Sequence, residues 1–279
     1  MKKQKIWFIT GAGRGFGFEI AKAALASGDI VIATVRNNAS ELASDLSNNN
    51  LTVVTLDITD ENQAKELAKT LIEKFGKIDV VFNNAGFGLL GAVEEITAEE
   101  VRKLYETNVF GTLNVTRSFL PYLRKQGSGH IINISSVGGL TGSPGWGIYN
   151  STKFAVEGFS EALAKELSPL GIYVTVVEPG YFRTNFLDPS SLNRGSIVIE
   201  DYAETTGKMR NRATEINYKQ PGDPAKLAAA MVKLVESENP PLHLPMGQDT
   251  LDAYEAKTMA FQKNIQDWHS VIIGTSTDQ

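Results

Sequence analysis

The chain has 279 residues, which is enough for one large α/β domain, and no domain boundary is obvious. It has no cysteine, and the three histidines, His130, His243 and His269, show no metal-ligand spacing, so we predict no metal site and expect each histidine at the surface or in a loop. A net charge of −5 without a basic stripe argues against nucleic acid as a partner, and 42% hydrophobic residues without a long apolar run argue against a membrane span. We therefore expect a cytoplasmic protein with neither nucleic acid nor a membrane as its partner.

The first predicted elements are a short strand, Ile6 to Thr10, a glycine-rich loop, and an amphipathic helix that ends near Ser27. A loop of glycines lets a pyrophosphate approach the backbone closely, and the N-terminus of the following helix presents free N–H groups to it. A glycine-rich surface turn is the alternative, but the position between a strand and a helix favours a dinucleotide site. The candidate cofactor residues here are Gly11, Gly13, Arg14, Gly15, Phe16 and Gly17.

The second predicted strand, Ile30 to Val35, ends in Arg36, at the position that selects between the two nicotinamide cofactors. A carboxylate there would bind a ribose 2′-hydroxyl, whereas a cation accommodates a 2′-phosphate. Arg36 and Arg14 could together clamp one phosphate through charge-assisted hydrogen bonds. We predict NADP(H) rather than NAD(H); the alternative is that both arginines are merely solvated.

The third and fourth strands are predicted at Leu51 to Leu56 and Ile78 to Phe82, separated by a helix from about Glu61 to Phe75 with Asp60 or Thr59 as its N-cap. The fourth strand ends in Asn83-Asn84-Ala85-Gly86. Ligands of open α/β sheets bind at the carboxyl ends of the strands, so these residues should line the cofactor, although a plain turn could also use Asn and Gly.

The next predicted helix begins at Thr97 and runs towards Leu123, and an apolar strand-like run from His130 leads to Ser136. A further helix runs from Tyr149 to about Leu167. Tyr149 and Lys153 lie four residues apart and so project to one side, where the cation would lower the pKa of the phenol. Tyr149 could then exchange a proton with a substrate oxygen that the Ser136 hydroxyl also binds, and Ser135 is the less suitable of the two serines.

The last third of the chain begins with a strand at Ile172 to Val177 and a Pro-Gly turn. Residues 185–220 lack a clear apolar period and are too long for an ordinary connection, so we predict a substrate loop or lid. A helix from Pro224 to Glu236 and a short edge strand after Pro240 come next. A C-terminal extension over 250–279 completes the predicted elements, helical from Thr250 to Trp268 and frayed from Gly274 to Gln279. The lid and the turn before it would supply an apolar wall for a hydrophobic substrate, formed by Tyr181, Phe182, Phe186, Leu187 and Leu192.

Several of these motifs, in this order, resemble those of the short-chain dehydrogenase/reductase family. They are Thr-Gly-x-x-x-Gly-x-Gly from Thr10, Asn-Asn-Ala-Gly from Asn83, and the spacing Ser-x12-Tyr-x3-Lys. The resemblance implies that a water on the backbone of Asn108 extends Ser136, Tyr149 and Lys153 to a catalytic tetrad. It also implies further cofactor contacts from Asp57, Ile58, Asn84, Ala85, Gly86, Pro179, Gly180 and Thr184, together with Tyr149 and Lys153.

We therefore expect one α/β domain over 1–279, a Rossmann-type doubly wound parallel sheet of about seven strands in the order 3-2-1-4-5-6-7. The expected activity is NADP(H)-dependent interconversion of a carbonyl and an alcohol on a hydrophobic small molecule. The alternatives are a catalytically silent NADP(H)-binding redox sensor and a protein whose main role is assembly. Family dimers pair the helices at Phe110 to Leu123 and Phe154 to Leu167, which implies a homodimer or homotetramer.

Overall fold

A computed structural model describes residues 3–276, and its centre is a seven-stranded parallel sheet. The strand order is β3-β2-β1-β4-β5-β6-β7, as the sequence predicts. The five central strands are mostly buried, which explains why they read as nearly continuous runs of β-branched and apolar residues, whereas the two edge strands are partly exposed. Their bounds are β1 Ile6–Ile9, β2 Ile30–Val35, β3 Leu51–Thr55, β4 Val80–Asn83, β5 Gly129–Ile134, β6 Ile172–Pro179 and β7 His243–Met246.

Helices cover both faces of the sheet and form two separate cores. One core packs α1, α2 and α9 against the sheet, and the other packs α3, α5 and α7 against the opposite face. The sheet is therefore doubly wound. The helices are α1 Gly15–Ala26, α2 Ala39–Leu46, α3 Glu61–Phe75, α4 Ala98–Tyr105, α5 Thr112–Gln126, α6 Val137–Leu140, α7 Gly147–Leu167, α8 Lys208–Glu215, α9 Pro224–Glu236, α10 Gln248–Asp267 and α11 His269–Ile273.

Local sequence signals fix several helix starts. The Asp60 side chain accepts a hydrogen bond from the Gln63 backbone N–H at 3.0 Å and caps α3, and a reciprocal capping box of Thr97 and Glu100 begins α4. Asp60 was one of the two N-cap candidates for α3, and Thr97 was the predicted start of the next helix. Helix α2 was not predicted, because its short polar sequence carries only one fully buried side chain, Leu42.

Two features of the sheet region differ from the sequence prediction. Strand β4 begins at Val80 rather than at Ile78. His130 is neither exposed nor in a loop: it lies in β5, where its Nε2 is 2.9 Å from the Thr175 hydroxyl and burial lowers its pKa to about 3. This buried histidine is therefore a neutral structural residue.

The segment 185–220, predicted as a substrate loop or lid, is an insertion that contains short helices and a strand, and its role at the substrate stays a prediction. Leu192–Arg194 pairs with Gly88–Leu90 in a small parallel sheet, and the segment also contains α8. Fully buried Glu95 accepts the Ile199 N–H at 2.8 Å and forms an ion pair with Arg210. Contacts across long sequence separations thus hold this insertion, and these contacts leave no periodic signature in the sequence.

The predicted C-terminal helix is confirmed as α10, which α11 follows; part of the expected frayed end, 277–279, lies outside the described residues. Many large apolar side chains of these two helices are exposed, among them Met259, Phe261 and Trp268. Of the helices within residues 3–276, none is long and apolar enough to span a membrane.

Candidate active site

A cleft of about 670 Å³ opens at the carboxyl ends of the sheet strands. It is lined by residues from the loops after β1, β2, β3, β4, β5 and β6 and from the insertion, which is the edge where open α/β sheets bind ligands. Gly17 and Asn108 lie outside its lining. The candidate residues that do line it are Gly11, Gly13, Arg14, Gly15, Phe16, Arg36, Asp57, Ile58, Asn84, Ala85, Gly86, Ser136, Tyr149, Lys153, Pro179, Gly180 and Thr184.

The glycine loop after β1 has the geometry that close approach of a phosphate requires. Gly11 and Gly15 have φ of 65° and 56°, in the left-handed region that favours glycine. A Cβ on Gly17 would lie 2.4 Å from the Gly11 carbonyl oxygen and 2.6 Å from Asn84 Nδ2. No side chain caps the N-terminus of α1, so its first N–H groups face the cleft without a side-chain acceptor.

The two arginines proposed for the 2′-phosphate reach the same cleft but have different surroundings. Arg36 lies directly after β2, and none of the residues closing that strand is acidic. Arg14 donates a hydrogen bond to the Ser190 carbonyl oxygen at 2.6 Å and so contacts the insertion. Both guanidinium groups line the cleft, and their joint contact with a 2′-phosphate stays a prediction.

Side-chain hydrogen bonds hold the loops after β3 and β4, locally in the first and across to the glycine loop in the second. Asp57 accepts from both the N–H and the hydroxyl of Thr59, at 2.9 and 2.8 Å. Asn84 donates to the carbonyl oxygens of Thr10 and Gly11, each at 3.0 Å. Asn84 thus ties the β4 loop to the glycine loop, so its side chain supports the cleft rather than facing a ligand with a free amide.

The Ser136, Tyr149 and Lys153 side chains converge at one end of the cleft, as predicted. Lys153 Nζ donates to the Ile134 carbonyl oxygen at 2.9 Å and lies 5.7 Å from the centre of the Tyr149 ring. The Ser136 hydroxyl caps α6 by accepting the Gly138 N–H at 3.0 Å, and it acts on Tyr149 as a hydrogen-bond partner. The three groups come from the end of β5 and the first turns of α7.

Burial controls the protonation of this group. It raises the pKa of Tyr149 above its ordinary value, and hydrogen bonding from Ser136 only partly offsets this. Burial also lowers the pKa of Lys153 to about 8, against the opposing charge of Glu157. The expected lowering of the Tyr149 pKa by Lys153 is not among the causes acting here, because desolvation dominates both side chains.

Asn108 lies behind the cleft in a π-helical turn, Glu106–Gly111, between α4 and α5. Its Oδ1 accepts the Phe87 N–H at 3.1 Å and its Nδ2 donates to the Phe87 carbonyl oxygen at 3.0 Å. Its own carbonyl oxygen accepts from the Thr112 hydroxyl at 3.0 Å. A π-turn inside a helix is frequent at functional sites because it redirects backbone carbonyls.

The turn after β6 is fixed from the far end of the chain. Asp249 in α10 accepts the Tyr181 N–H at 2.6 Å, and a Cβ on Gly180 would lie 2.2 Å from the same carboxylate. The Thr184 hydroxyl accepts the Phe186 N–H at 3.3 Å and caps the short turn Asn185–Leu187. Asp249 is a supporting residue that sequence reasoning missed, since nothing in its helix indicates the contact.

An aromatic cluster surrounds the phenol on the side of the insertion. Trp146 packs edge-on to Tyr149 with ring centres 5.6 Å apart and stacks on Phe186 at 6.3 Å. The prediction included Phe186 but missed Trp146 and Phe87, which also line the cleft; Leu192 is instead buried beneath it. Trp146 precedes Tyr149 by three residues at the start of α7, and this spacing could have predicted that the two rings lie close together.

The fold and the cleft define a dinucleotide-binding α/β protein, and comparisons identify its family. The family described as short chain dehydrogenase matches residues 5–195. A 3-ketodihydrosphingosine reductase of Bacteroides thetaiotaomicron is 38% identical over 243 residues, covering 87% of this chain and 88% of the relative. A short-chain dehydrogenase from Streptomyces avermitilis matches with a TM-score of 0.91 at 39% identity, covering 99% of this chain and all of that one. ElxO with NADP bound matches with a TM-score of 0.74 at 29% identity, covering 90% of this chain and all of that one.

The chain belongs to the short-chain dehydrogenase family, whose members are oxidoreductases that bind a nicotinamide cofactor. The residues present fit such a cofactor, because the backbone is too close for a Cβ at Gly11 and Gly17 and the N-terminus of α1 is uncapped.

Proposed function

We propose that the protein is an NADP(H)-dependent oxidoreductase that interconverts a carbonyl and an alcohol on a hydrophobic small molecule. The convergence of Ser136, Tyr149 and Lys153 at the end of the dinucleotide cleft carries this proposal. The bound cofactor supplies or accepts the hydride, and the protein supplies the proton and the orientation of the substrate.

In the reductive direction, the Tyr149 hydroxyl donates its proton to the substrate oxygen while Ser136 holds that oxygen by a second hydrogen bond. Burial keeps Tyr149 protonated and therefore able to act as the acid. Lys153, whose ammonium group lies 5.7 Å from the centre of the Tyr149 ring, holds the nicotinamide ribose. A water on the backbone of Asn108 would continue a proton relay from Lys153.

The preference for NADP(H) rests on Arg36 at the end of β2 and on the missing carboxylate there. ElxO, at 29% identity, has a structure with NADP bound, which supports the same assignment. We assign the remaining cofactor contacts to the predicted residues that line the cleft.

A hydrophobic substrate is supported by the aromatic cluster of Trp146, Phe186 and Phe87 at the reacting end of the cleft. The relative from Bacteroides thetaiotaomicron is named for a ketone that carries a long alkyl chain. A ketone on an aliphatic chain is accordingly the first substrate class to test.

We further propose a homodimer or homotetramer, formed through the outer faces of the helices that contain Phe110 and Phe154. Both aromatic side chains are exposed, 48% and 41%, on the part of the molecule where α4, α5 and α7 meet solvent. Exposed aromatic residues are enriched at subunit interfaces.

The test of the function is a Tyr149→Phe variant assayed with NADPH and a panel of aliphatic, aromatic and polar ketones. We expect wild-type protein to oxidise NADPH with at least one hydrophobic ketone, and the variant to lose more than about 100-fold in kcat, since it lacks the proton donor. NADPH affinity, measured by fluorescence titration, should change little.

Tyr173→Phe is the matched control, because Tyr173 lies on the surface and its hydroxyl donates to the Glu238 carbonyl oxygen, away from the cleft. Full activity of Tyr149→Phe would exclude the mechanism. NADPH binding without reduction of any ketone by wild-type protein would favour the silent redox sensor.

A further inference from the structure

Three ligand-type side chains meet behind the active site, at the join of β6, β7 and α7. They are Glu157 in α7, Glu178 in β6 and His243 in β7, and their nearest ligand atoms all lie within 4.8 Å of one another. His243 Nδ1 is 2.8 Å from Glu178 Oε1 and 3.4 Å from Glu157 Oε2. Sequence analysis did not predict this group, since the three residues are far apart along the chain.

The Glu157 carboxyl group is buried without a well-formed hydrogen bond. Its residue is 7% exposed, and within residues 3–276 its polar neighbours are the Ser135 hydroxyl, the Glu178 carboxyl group and the His243 ring, 3.4 Å away. Glu178 beside it is 1% exposed. Two carboxyl groups are thus buried against one imidazole, and buried carboxylates are paired or bind metal ions.

We propose that Glu157, Glu178 and His243 bind one divalent transition-metal ion, with Zn²⁺ as the ion of best fit. Two carboxylate oxygens and one imidazole nitrogen form a three-ligand set that zinc uses, with a water in the fourth position. Ligand atoms about 2.1 Å from a common ion lie no more than about 4.2 Å apart, so only a small inward movement is needed here. Imidazole favours transition metals over Mg²⁺ and Ca²⁺.

The proposed metal site is open to solvent on one side and lies next to the catalytic residues. The His243 side chain is 39% exposed, so an ion and its water can enter from solvent past the edge strand. Glu157 lies one helical turn after Lys153 in α7, and Glu178 directly precedes Pro179 at the cleft. A bound ion would therefore tie the helix that carries Tyr149 and Lys153 to the two strands beside it.

The experiment uses the full chain, stripped with a chelator and dialysed against a small excess of Zn²⁺. We expect about one zinc per chain by elemental analysis, and a rise in Tm on adding Zn²⁺. Co²⁺ in place of Zn²⁺ should give a visible absorption band from nitrogen and oxygen ligation. His243→Gln and Glu178→Gln should each weaken Zn²⁺ binding at least about tenfold.

Glu161→Gln and His269→Gln are the matched controls. Glu161 is 49% exposed and lies near the other ring nitrogen of His243, and His269 lies in α11, so both variants should keep the zinc. His243 is partly exposed, so His243→Gln decides the matter if Glu178→Gln does not fold. Wild-type protein that retains no zinc, or undiminished zinc in His243→Gln, overturns the proposal.

Discussion

Burial brings the pKa of Lys153 close to neutral pH. Its pKa is lowered to about 8, so the ammonium is present at neutral pH and is lost in the mildly alkaline range. For the free enzyme, we therefore expect NADPH affinity to fall as pH rises through about 8, since Lys153 is proposed to hold the nicotinamide ribose. Direct titration of NADPH from pH 6 to 10 measures this. Lys153→Arg should remove the fall, because a guanidinium stays charged throughout; a fall that persists in this variant belongs to another group.

Arg36 is the residue on which cofactor choice depends. Arg36→Asp should shift the preference to NADH, since a carboxylate repels the 2′-phosphate and accepts a hydrogen bond from a ribose 2′-hydroxyl. We expect the ratio of kcat/KM for NADPH to that for NADH to fall by about 100-fold or more. Arg14→Gln is the comparison, and its effect should be smaller because Arg14 is already engaged with Ser190. Equal use of both cofactors by wild-type protein would refute the assignment.

At the scale of elements, the tight junction of β1, the glycine loop and α1 gives a matched pair of glycine substitutions. A Cβ on Gly17 would meet backbone at 2.4 Å, whereas one on Gly158 in α7 would meet nothing within 4 Å. Gly17→Ala should cost about 1 to 3 kcal/mol of stability and abolish NADPH binding. Gly158→Ala should instead gain up to about 1 kcal/mol, because alanine is the better helix former. Urea unfolding and NADPH titration test both; tight NADPH binding by Gly17→Ala would contradict the close packing described.

The elements also show why sequence reasoning succeeded in one part of the chain and failed in another. Strands, caps and the glycine loop are encoded by neighbours along the chain, so β2, α3 and α9 have the predicted bounds. The insertion depends on Glu95, which bonds residues about a hundred positions away, and the aromatic cluster depends on where the insertion folds back. The grouping of Glu157, Glu178 and His243 likewise exists only after β7 joins the sheet.

At the scale of the whole molecule, exposed aromatic side chains indicate that the protein forms an oligomer. Phe110 and Phe154 leave apolar surface in water, which association would bury. We expect wild-type protein to elute from a sizing column as a dimer or tetramer, and Phe110→Asp combined with Phe154→Asp to elute at a smaller mass, because buried carboxylates oppose the interface. Leu170→Asp is the control, since Leu170 is equally exposed but lies beyond the end of α7. Light scattering gives the mass independently of shape; a monomeric wild type, or an unchanged mass in the double variant, would show that these helix faces do not form the interface.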